Sequence, residues 1–176
     1  MGRIVFITGG ARSGKSGFAE QMAAGFGAPL CYLATAQALD GEMDQRISRH
    51  QQRRGDAWQT IEEPLRLAHA LEANDGIFKA ILLDCLTLWL SNLLLYEEMG
   101  EETEPRIMSE VHRLATTLQG MTTPIIIVSN EVGMGIVPEN TLARMFRDIA
   151  GQTNQMVAAA ADEAWLVASG IPLKLK

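Results

Sequence analysis

The sequence has little positive charge. Fifteen Lys and Arg residues stand against 21 Asp and Glu residues, which gives a formal net charge of −6 over 176 residues. Proteins that bind nucleic acid or anionic membranes electrostatically present a basic patch or a positive net charge. The composition therefore argues against that class of partner, and we expect no nucleic-acid binding.

Cysteine is almost absent as well. The two cysteines, Cys31 and Cys85, each lie in an apolar run, without a CxxC pair or a His/Cys cluster. Such surroundings are typical of buried thiols, whereas a disulfide scaffold or a zinc cage needs several cysteines at characteristic spacings. We expect two buried thiols and a reducing, cytoplasmic environment.

Long hydrophobic runs are also missing. The longest apolar stretch, Ala80–Leu95, contains Asp84 and Asn92 and is too short to span a bilayer comfortably. The apolar segment at the start, Met1–Thr8, is too short for the core of a signal peptide, and a glycine-rich turn follows it. We expect no transmembrane segment.

What the sequence does have is an alternation of short apolar runs with longer helical patterns. The predicted strands are Arg3–Thr8, Leu30–Thr35, Trp58–Glu63, Phe78–Cys85, Pro124–Asn130 and Glu163–Gly170. The predicted helices are Lys15–Phe26, Asp40–Arg54, Pro64–Glu72, Leu86–Glu98, Ile107–Gln119 and Asn140–Ala160. The acidic stretch Tyr96–Arg106 reads as a surface loop. This order predicts an α/β fold with a mostly parallel central sheet and helices on both faces, as a single domain over residues 1–176.

The first strand runs into the stretch GGARSGKS, Gly9 to Ser16, which fits the phosphate-binding pattern GxxxxGK[ST]. Glycines let the backbone turn its N–H groups toward phosphate oxygens, and the helix that follows offers the positive end of its dipole. Lys15 can reach the β and γ phosphates, and Ser16 can bind Mg²⁺. The alternative is a glycine-rich turn that binds nothing. The predicted contacts are Gly9, Gly10, Ala11, Arg12, Ser13, Gly14, Lys15 and Ser16.

Asp84 ends the apolar run AILLD. A carboxylate at the tip of a buried strand beside a phosphate loop is the usual partner that holds Mg²⁺ or a water bound to it. The pattern is weak alone, because many strands end in Asp. Together with the phosphate loop it predicts a magnesium site made by Ser16 and Asp84.

The segment EMDQRISRHQQRR places cations around a histidine. On a helix, Arg46 lies four residues before His50, and Arg53 and Arg54 lie three and four residues after it. Neighbouring cations disfavour the imidazolium form and favour a neutral, nucleophilic ring. Such a ring can act as a general base or attack phosphorus. The spacing alone favours the alternative, a solvated basic helix face with an idle histidine.

Two other stretches leave their roles open. Glu62 and Glu63 could accept hydrogen bonds from a guanine or lie on a loop in water. The segment Ser129–Asn140 follows a strong strand, so Asn130, Glu131 and Asn140 should lie at the carboxyl edge of the sheet. They could contact a ligand there, or form a tight turn and a helix cap.

Taken in order, these stretches resemble a known family across nearly the whole chain. The segments that carry the resemblance are TGGARSGKS, YLATA, DGEMDQRISRH, WQTIEEP, VSNEVGMGIVPEN, LARMFRDIAGQTNQ and ADEAWLVASGIPLKLK. They are similar to the bifunctional adenosylcobinamide kinase / adenosylcobinamide-phosphate guanylyltransferase family of cobalamin biosynthesis. The resemblance implies a P-loop NTPase-like fold, with Mg²⁺ and with GTP and ATP as co-substrates. It also implies a corrinoid substrate, and a homotrimer with sites near the subunit boundaries.

The resemblance also implies residue roles. The family's guanylylated histidine falls on His50, which would attack the α-phosphorus of GTP and pass GMP to the phosphorylated corrinoid. Lys15 would act in catalysis together with it. Besides the phosphate loop, the implied nucleotide contacts are Ala34, Thr35, Ala36, Gln51, Gln52, Arg53, Arg54, Glu62 and Asp84. The base of the kinase step stays open between Asp84 and Glu131.

Two other functions would also use a phosphate-binding loop. A P-loop kinase acting on another small molecule, such as a nucleoside, would use Lys15 and Asp84 without needing a nucleophilic histidine. A GTP-driven switch would carry an NKxD segment for guanine and a DxxG segment after the metal-binding strand, and the sequence has neither. The bifunctional transferase is the function that we predict.

Overall fold

A computed structural model describes residues 1–36, 55–96 and 100–176. Their strands form one seven-stranded sheet in the order β3-β2-β4-β5-β1-β6-β7. Every pairing is parallel except that of β7 with β6. The strands are β1 (Ile4–Thr8), β2 (Leu30–Ala34), β3 (Trp58–Glu62), β4 (Ala80–Asp84), β5 (Ile125–Val128), β6 (Glu163–Ala168) and β7 (Ile171–Lys174).

Five α-helices accompany the sheet in these ranges, with a short 3₁₀ turn at Gly55–Ala57. The helices are α1 (Lys15–Ala24), α2 (Leu67–Asn74), α3 (Leu86–Tyr96), α4 (Thr103–Gly120) and α5 (Thr141–Ala160). None of them is long and apolar enough to cross a membrane, as far as the described residues go.

The central strands are apolar up to their carboxyl ends, as expected for strands that helices cover on both faces of the sheet. One face packs Val5 and Ile7 of β1 against Ala19 and Ala23 of α1. The other face packs Ile4 and Phe6 with buried residues of α2 to α5. The predicted α/β fold, with a mostly parallel sheet between helical layers, is confirmed.

Both cysteines lie in these cores as buried free thiols, as predicted. Burial raises the pKa of Cys31 to about 12. It also raises the pKa of Cys85, with a further contribution from the negative charge of Asp84. Neither sulfur is therefore a thiolate near neutral pH, and neither is suited to act as a nucleophile.

Several predicted boundaries differ from the structure by a few residues, and two of these differences change the description of the fold. The sheet does not end at Gly170. Ser169 and Gly170, with φ of 53° and 80°, form a turn, and the chain continues as the antiparallel strand β7. Pro172 argues against a strand in the sequence, but a proline is tolerated where a strand forms the edge of a sheet. In addition, α4 begins at Thr103, so the predicted surface loop ends earlier than Arg106.

The predicted helix Asp40–Arg54 lies outside the described residues. The other predicted helices and strands have counterparts in the structure.

The order of the strands positions the site. β5 lies between β1, which leads into the phosphate loop, and β4, which ends at Asp84. Val128 pairs with Ile7 on one side and with Asp84 on the other. The polar residues that follow these three strands therefore meet at one edge of the sheet.

Candidate active site

The phosphate loop connects β1 to α1 at the carboxyl edge of the sheet. Gly14, at the N-cap of α1, is in the left-handed region with φ of 98° and supplies no side-chain cap. The first backbone N–H groups of a helix have no partner within the helix. Without a capping side chain they face the loop, where they and the helix dipole favour an anion.

The loop packs tightly on β6. A Cβ on Gly9, whose φ is +153°, would lie 2.3 Å from the carbonyl oxygen of Val167, so this position requires glycine. The backbone N–H of Glu131 donates to the Gly9 carbonyl over 3.0 Å. At the other end of the loop, the N–H of Gly170 donates to the Ser13 carbonyl over 2.8 Å. The β6–β7 hairpin therefore fixes the loop from outside, a support that the sequence analysis missed.

Lys15 opens α1 with its side chain folded over the loop. The residue is 7% exposed, and its Nζ donates to the carbonyl oxygen of Gly10 over 2.7 Å. A buried ammonium held against backbone oxygen is positioned for a strongly negative ligand in the same cradle. The phosphate contact of Lys15 stays a prediction.

Two buried hydroxyls at the loop have no protein partner among the described residues. They are the Oγ1 of Thr8, at the end of β1, and the Oγ of Ser13, within the loop. Buried polar atoms are nearly always hydrogen-bonded, and unsatisfied ones call for an explanation such as a ligand. A phosphate in the loop would offer Ser13 an acceptor, so the residues present fit a bound nucleotide.

Asp84 shares a cavity with the loop. The cavity has a volume of about 460 Å³. The Oδ2 of Asp84 accepts a 3.1 Å hydrogen bond from the Tyr32 hydroxyl, and the carboxylate is half-buried. The residues that line the cavity are Ala11, Arg12, Ser13, Gly14, Lys15, Ser16, Gly17, Asp84, Cys85, Leu88, Val128 and Asn130.

Ser16 and Asp84 supply oxygen ligands of the kind that Mg²⁺ prefers. No group of three or more His, Cys, Asp or Glu side chains suited to a metal occurs within residues 1–36, 55–96 and 100–176. Magnesium in phosphate-transfer sites takes only one or two protein ligands and completes its shell with phosphate oxygens and water. The two side chains therefore fit a magnesium ion that arrives with a nucleotide.

The predicted contacts on β2 and β3 lie on the same edge of the sheet. Ala34 pairs with Asp84 on one side and with Glu62 on the other, and Glu62 is exposed. The side chain of Thr35 is fully buried, and its hydroxyl donates to the Cys85 carbonyl (2.8 Å) and accepts from the Cys85 N–H (2.9 Å). Thr35 thus ties the end of β2 to the residue after Asp84, so its hydroxyl already has partners. Ala36 follows as the last described residue before the gap.

The remaining predicted site residues cannot be placed against this edge. His50, Gln51, Gln52, Arg53 and Arg54 lie outside the described residues, as does Arg46.

The segment Ser129–Asn140 divides into two roles. The side chain of Asn140 accepts a 3.0 Å hydrogen bond from the N–H of Ala143 and caps α5, which is the structural alternative for this residue. Asn130, in contrast, lines the cavity that holds Lys15 and Asp84. Its Nδ2 donates to the Oγ1 of Thr87 over 2.8 Å.

A second cavity, of about 430 Å³, opens on the other side of the loop. Glu131 faces this cavity, and its Oε1 accepts a 2.7 Å hydrogen bond from the N–H of Gly133. The two open candidates for a kinase base are therefore separated, with Asp84 in the first cavity and Glu131 at the second. The second cavity is lined by Gly10, Ala11, Arg12, Ser13, Glu131, Met134, Leu166, Val167, Ala168 and Ser169.

The chain is similar to known proteins in sequence and in structure. The model of the family described as cobinamide kinase / cobinamide phosphate guanyltransferase matches residues 5–175. A bifunctional adenosylcobalamin biosynthesis protein of Escherichia coli K12 is 43% identical over 183 residues, which cover 98% of this chain and 99% of the relative. A relative of the same description from Pseudomonas aeruginosa is 44% identical over 170 residues, covering 97% and 95%.

Among solved structures, the RadB recombinase superposes with a TM-score of 0.53 at 11% sequence identity, covering 93% of this chain and 73% of that one. At this identity the likeness speaks for the fold alone. It agrees with the predicted P-loop NTPase-like architecture.

Proposed function

The chain belongs to the cobinamide kinase / cobinamide phosphate guanyltransferase family, and from this premise we propose that it carries out two successive reactions. It phosphorylates adenosylcobinamide from a nucleoside triphosphate. It then transfers GMP from GTP to adenosylcobinamide phosphate, through a guanylyl-histidine intermediate, and releases adenosylcobinamide-GDP. The observation that carries the proposal is the cavity in which the phosphate loop, Lys15 and Asp84 face one another.

We propose that this cavity binds the triphosphate of GTP or ATP. Three groups favour phosphate oxygens: the N–H groups at the start of α1, the buried ammonium of Lys15, and the hydroxyl of Ser13, which has no partner among the described residues. The neighbouring strand ends would supply contacts from Ala34–Ala36, Glu62 and Asp84, and the segment Gln51–Arg54 would complete the nucleotide site. Each of these groups binds or orients the nucleotide before chemistry begins.

Ser16 and Asp84 would hold Mg²⁺, which offsets the charge of the phosphates when it is bound. Lys15 and the loop N–H groups offset the rest of that charge, and they do so from positions fixed before the reaction. Tyr32, which donates to Asp84, orients the carboxylate. The protein therefore contributes a rigid phosphate-binding loop whose N–H groups and lysine ammonium attract negative charge.

His50 is the proposed nucleophile of the guanylyl transfer. A neutral ring nitrogen attacks the α-phosphorus of GTP, a nitrogen–phosphorus bond forms, and the bond to pyrophosphate breaks. A phosphate oxygen of the corrinoid then attacks the same phosphorus and releases the histidine. Splitting the transfer into two displacements replaces one difficult step by two easier ones. The sequence supports this role, because Arg46, Arg53 and Arg54 stand at helical spacing from His50 and neighbouring cations favour a neutral ring.

We further propose that the whole chain, residues 1–176, works as one nucleotide-binding catalytic domain, and that it assembles as a homotrimer in the cytoplasm. The resemblance of the full sequence to the family supports the assembly. Size-exclusion chromatography with light scattering tests it, and a monomeric mass at micromolar concentration would contradict it.

The pair of reactions is tested by product analysis. The purified chain is incubated with adenosylcobinamide, Mg²⁺ and either ATP or GTP, and the corrinoids are separated and weighed by mass spectrometry. With GTP we expect adenosylcobinamide phosphate followed by adenosylcobinamide-GDP, and with ATP alone no guanylylated product. Unchanged adenosylcobinamide with both nucleotides would overturn the proposal.

A further inference from the structure

We propose that Asn130 is a catalytic residue, whose side-chain amide donates a hydrogen bond to the phosphate group that is being transferred. The inference rests on the proposed function, because it assigns a role within the same cavity. The sequence left two roles open for Asn130, a contact with a ligand or a place in a tight turn, and the proposal assigns it the first.

The position of Asn130 follows from the order of the strands. β5 lies between the strand that leads into the phosphate loop and the strand that ends at Asp84. Val128 is in register with both Ile7 and Asp84, and Asn130 follows two residues later. The side chain therefore emerges between the two halves of the site, and it lines the cavity together with Lys15 and Asp84.

The direction of the amide is fixed by a neighbouring helix. Its Nδ2 donates to the Oγ1 of Thr87 over 2.8 Å, and Thr87 is 4% exposed in the first turn of α3. The Oγ1 of Thr87 in turn lies 3.2 Å from the Sγ of Cys85. An amide nitrogen carries two hydrogens. Thr87 takes one of them and leaves the other for a ligand.

The backbone of Asn130 is fixed from a second direction. Asn154 of α5 donates from Nδ2 to the carbonyl oxygen of Asn130 over 3.2 Å. The Oδ1 of Asn154 accepts a 2.6 Å hydrogen bond from the fully buried Ser129. Two helices thus hold the end of β5 through polar side chains. Such satisfied polar networks fix one geometry and keep it rigid.

This arrangement suits transition-state stabilisation. A donor held in place costs no reorganisation when charge develops on the transferring phosphoryl oxygens. A hydrogen bond that is already present with bound nucleotide and strengthens as that charge builds raises the turnover number more than the affinity for the nucleotide. Because the amide is neutral, it binds the phosphate oxygens of the ground state less strongly than the charged Lys15 does.

Kinetics of the full-length chain test the role. Asn130→Ala should lower kcat for phosphoryl or guanylyl transfer about 100-fold, with the nucleotide Kd changed less than about threefold. The matched control is Asn74→Ala, because the side-chain amide of Asn74 donates to the carbonyl of Ala70 in its own helix and Asn74 does not line the cavity. Unchanged kcat in both transfers, or a loss confined to nucleotide affinity, would overturn the proposal.

Thr87 is the positioning residue in this scheme, and its two variants separate orientation from packing. Thr87→Val keeps the volume but removes the hydroxyl that accepts from Asn130, so kcat should fall about tenfold. Thr87→Ser restores a hydroxyl and should restore most of kcat. An unchanged kcat in Thr87→Val together with a loss in Thr87→Ser would show that Thr87 acts through packing alone, which contradicts the proposed orientation of the amide.

A measurement without turnover keeps this inference distinct from the proposed function. The side-chain amide signal of Asn130 in a ¹⁵N-labelled chain, assigned by its loss in Asn130→Asp, is followed as Mg²⁺ and a non-hydrolysable GTP analogue are added. We expect the chemical shift of this signal to change as the GTP analogue saturates the site. The result does not depend on which molecule accepts the transferred group. An unmoved signal at full occupancy would refute the contact, and failure to make guanylylated corrinoid would refute only the proposed function.

Discussion

The N–H of Gly170, in the turn between the last two strands, donates a 2.8 Å hydrogen bond to the carbonyl of Ser13 inside the phosphate loop. The contact joins residues far apart in the chain. It makes the C-terminal hairpin part of the support of the nucleotide site. The stability of the hairpin and the affinity for nucleotide should therefore be linked.

Replacing Gly170 tests this link. Its φ of +80° lies in the left-handed region, and nothing occupies the space that a Cβ would take. Gly170→Ala should cost about 1–2 kcal/mol of folding free energy and should also raise the Kd for GTP. Gly27→Ala is the matched control, with φ of +81° and open space but a position beyond the other end of α1. It should cost similar stability and leave the Kd unchanged, so equal Kd values for the two variants would argue against the link.

Gly9 is limited by space as well as by φ. An alanine Cβ would lie 2.3 Å from the Val167 carbonyl oxygen, and backbone atoms cannot rotate away. Gly9→Ala should lower the free energy of unfolding by about 1–3 kcal/mol, measured by urea denaturation without nucleotide. Gly10→Ala meets nothing within 4 Å and should cost much less. Comparable losses in the two variants would mean that β6 does not hold the loop as described.

The carboxylate of Asp84 should set the requirement for magnesium. Asp84→Asn keeps the size of the side chain but removes its charge, so the Mg²⁺ concentration for half-maximal activity should rise at least about tenfold. Tyr32→Phe is the control, because it removes the hydroxyl that donates to Asp84 but leaves the carboxylate in place, so it should shift that concentration much less. A magnesium titration of the turnover rate distinguishes the two. An unchanged midpoint in Asp84→Asn would exclude a metal contact.

Asp75 should contribute stability that depends on pH. Partial burial pushes its pKa upward, but hydrogen bonds from Thr123 and Thr122 outweigh that effect and hold the pKa below 3.8. Since the pKa is lowered in the folded state, the stabilisation is present above about pH 4 and is lost as the pH falls through the folded value. Because the carboxylate is partly exposed and solvent screens its charge, Asp75→Asn should destabilise the fold by less than about 1 kcal/mol at pH 7.

Urea denaturation of Asp75→Asn and the unmodified chain from pH 7 to pH 3 checks the sign. The difference in unfolding free energy should shrink on acidification, because protonated Asp75 accepts hydrogen bonds no better than asparagine does. A difference that stays constant over this range would show that the charge of Asp75 is not involved.

The first strand, the loop and α1 could be predicted because their signals are local, an apolar run followed by a fixed glycine and lysine spacing. β7 could not be predicted, because Pro172 opposes a strand and only pairing with β6 makes one. The hydrogen-bond partners of polar side chains could not be predicted either, where two different partners were possible. Nothing in the sequence reveals that the Thr35 hydroxyl binds the backbone of Cys85, or that Asn140 caps a helix while Asn130 faces the cavity.

The central claim is the guanylyl-histidine at His50. The chain and Mg²⁺ are incubated separately with α-labelled and γ-labelled GTP, denatured, and examined for label on the protein, with His50→Ala as the control. Label from the α position only, labile in acid, stable in alkali and absent in His50→Ala, is the result that the account predicts. A folded chain that binds GTP but takes up no label from either nucleotide would contradict the guanylyltransferase mechanism and would favour a P-loop kinase without a covalent intermediate.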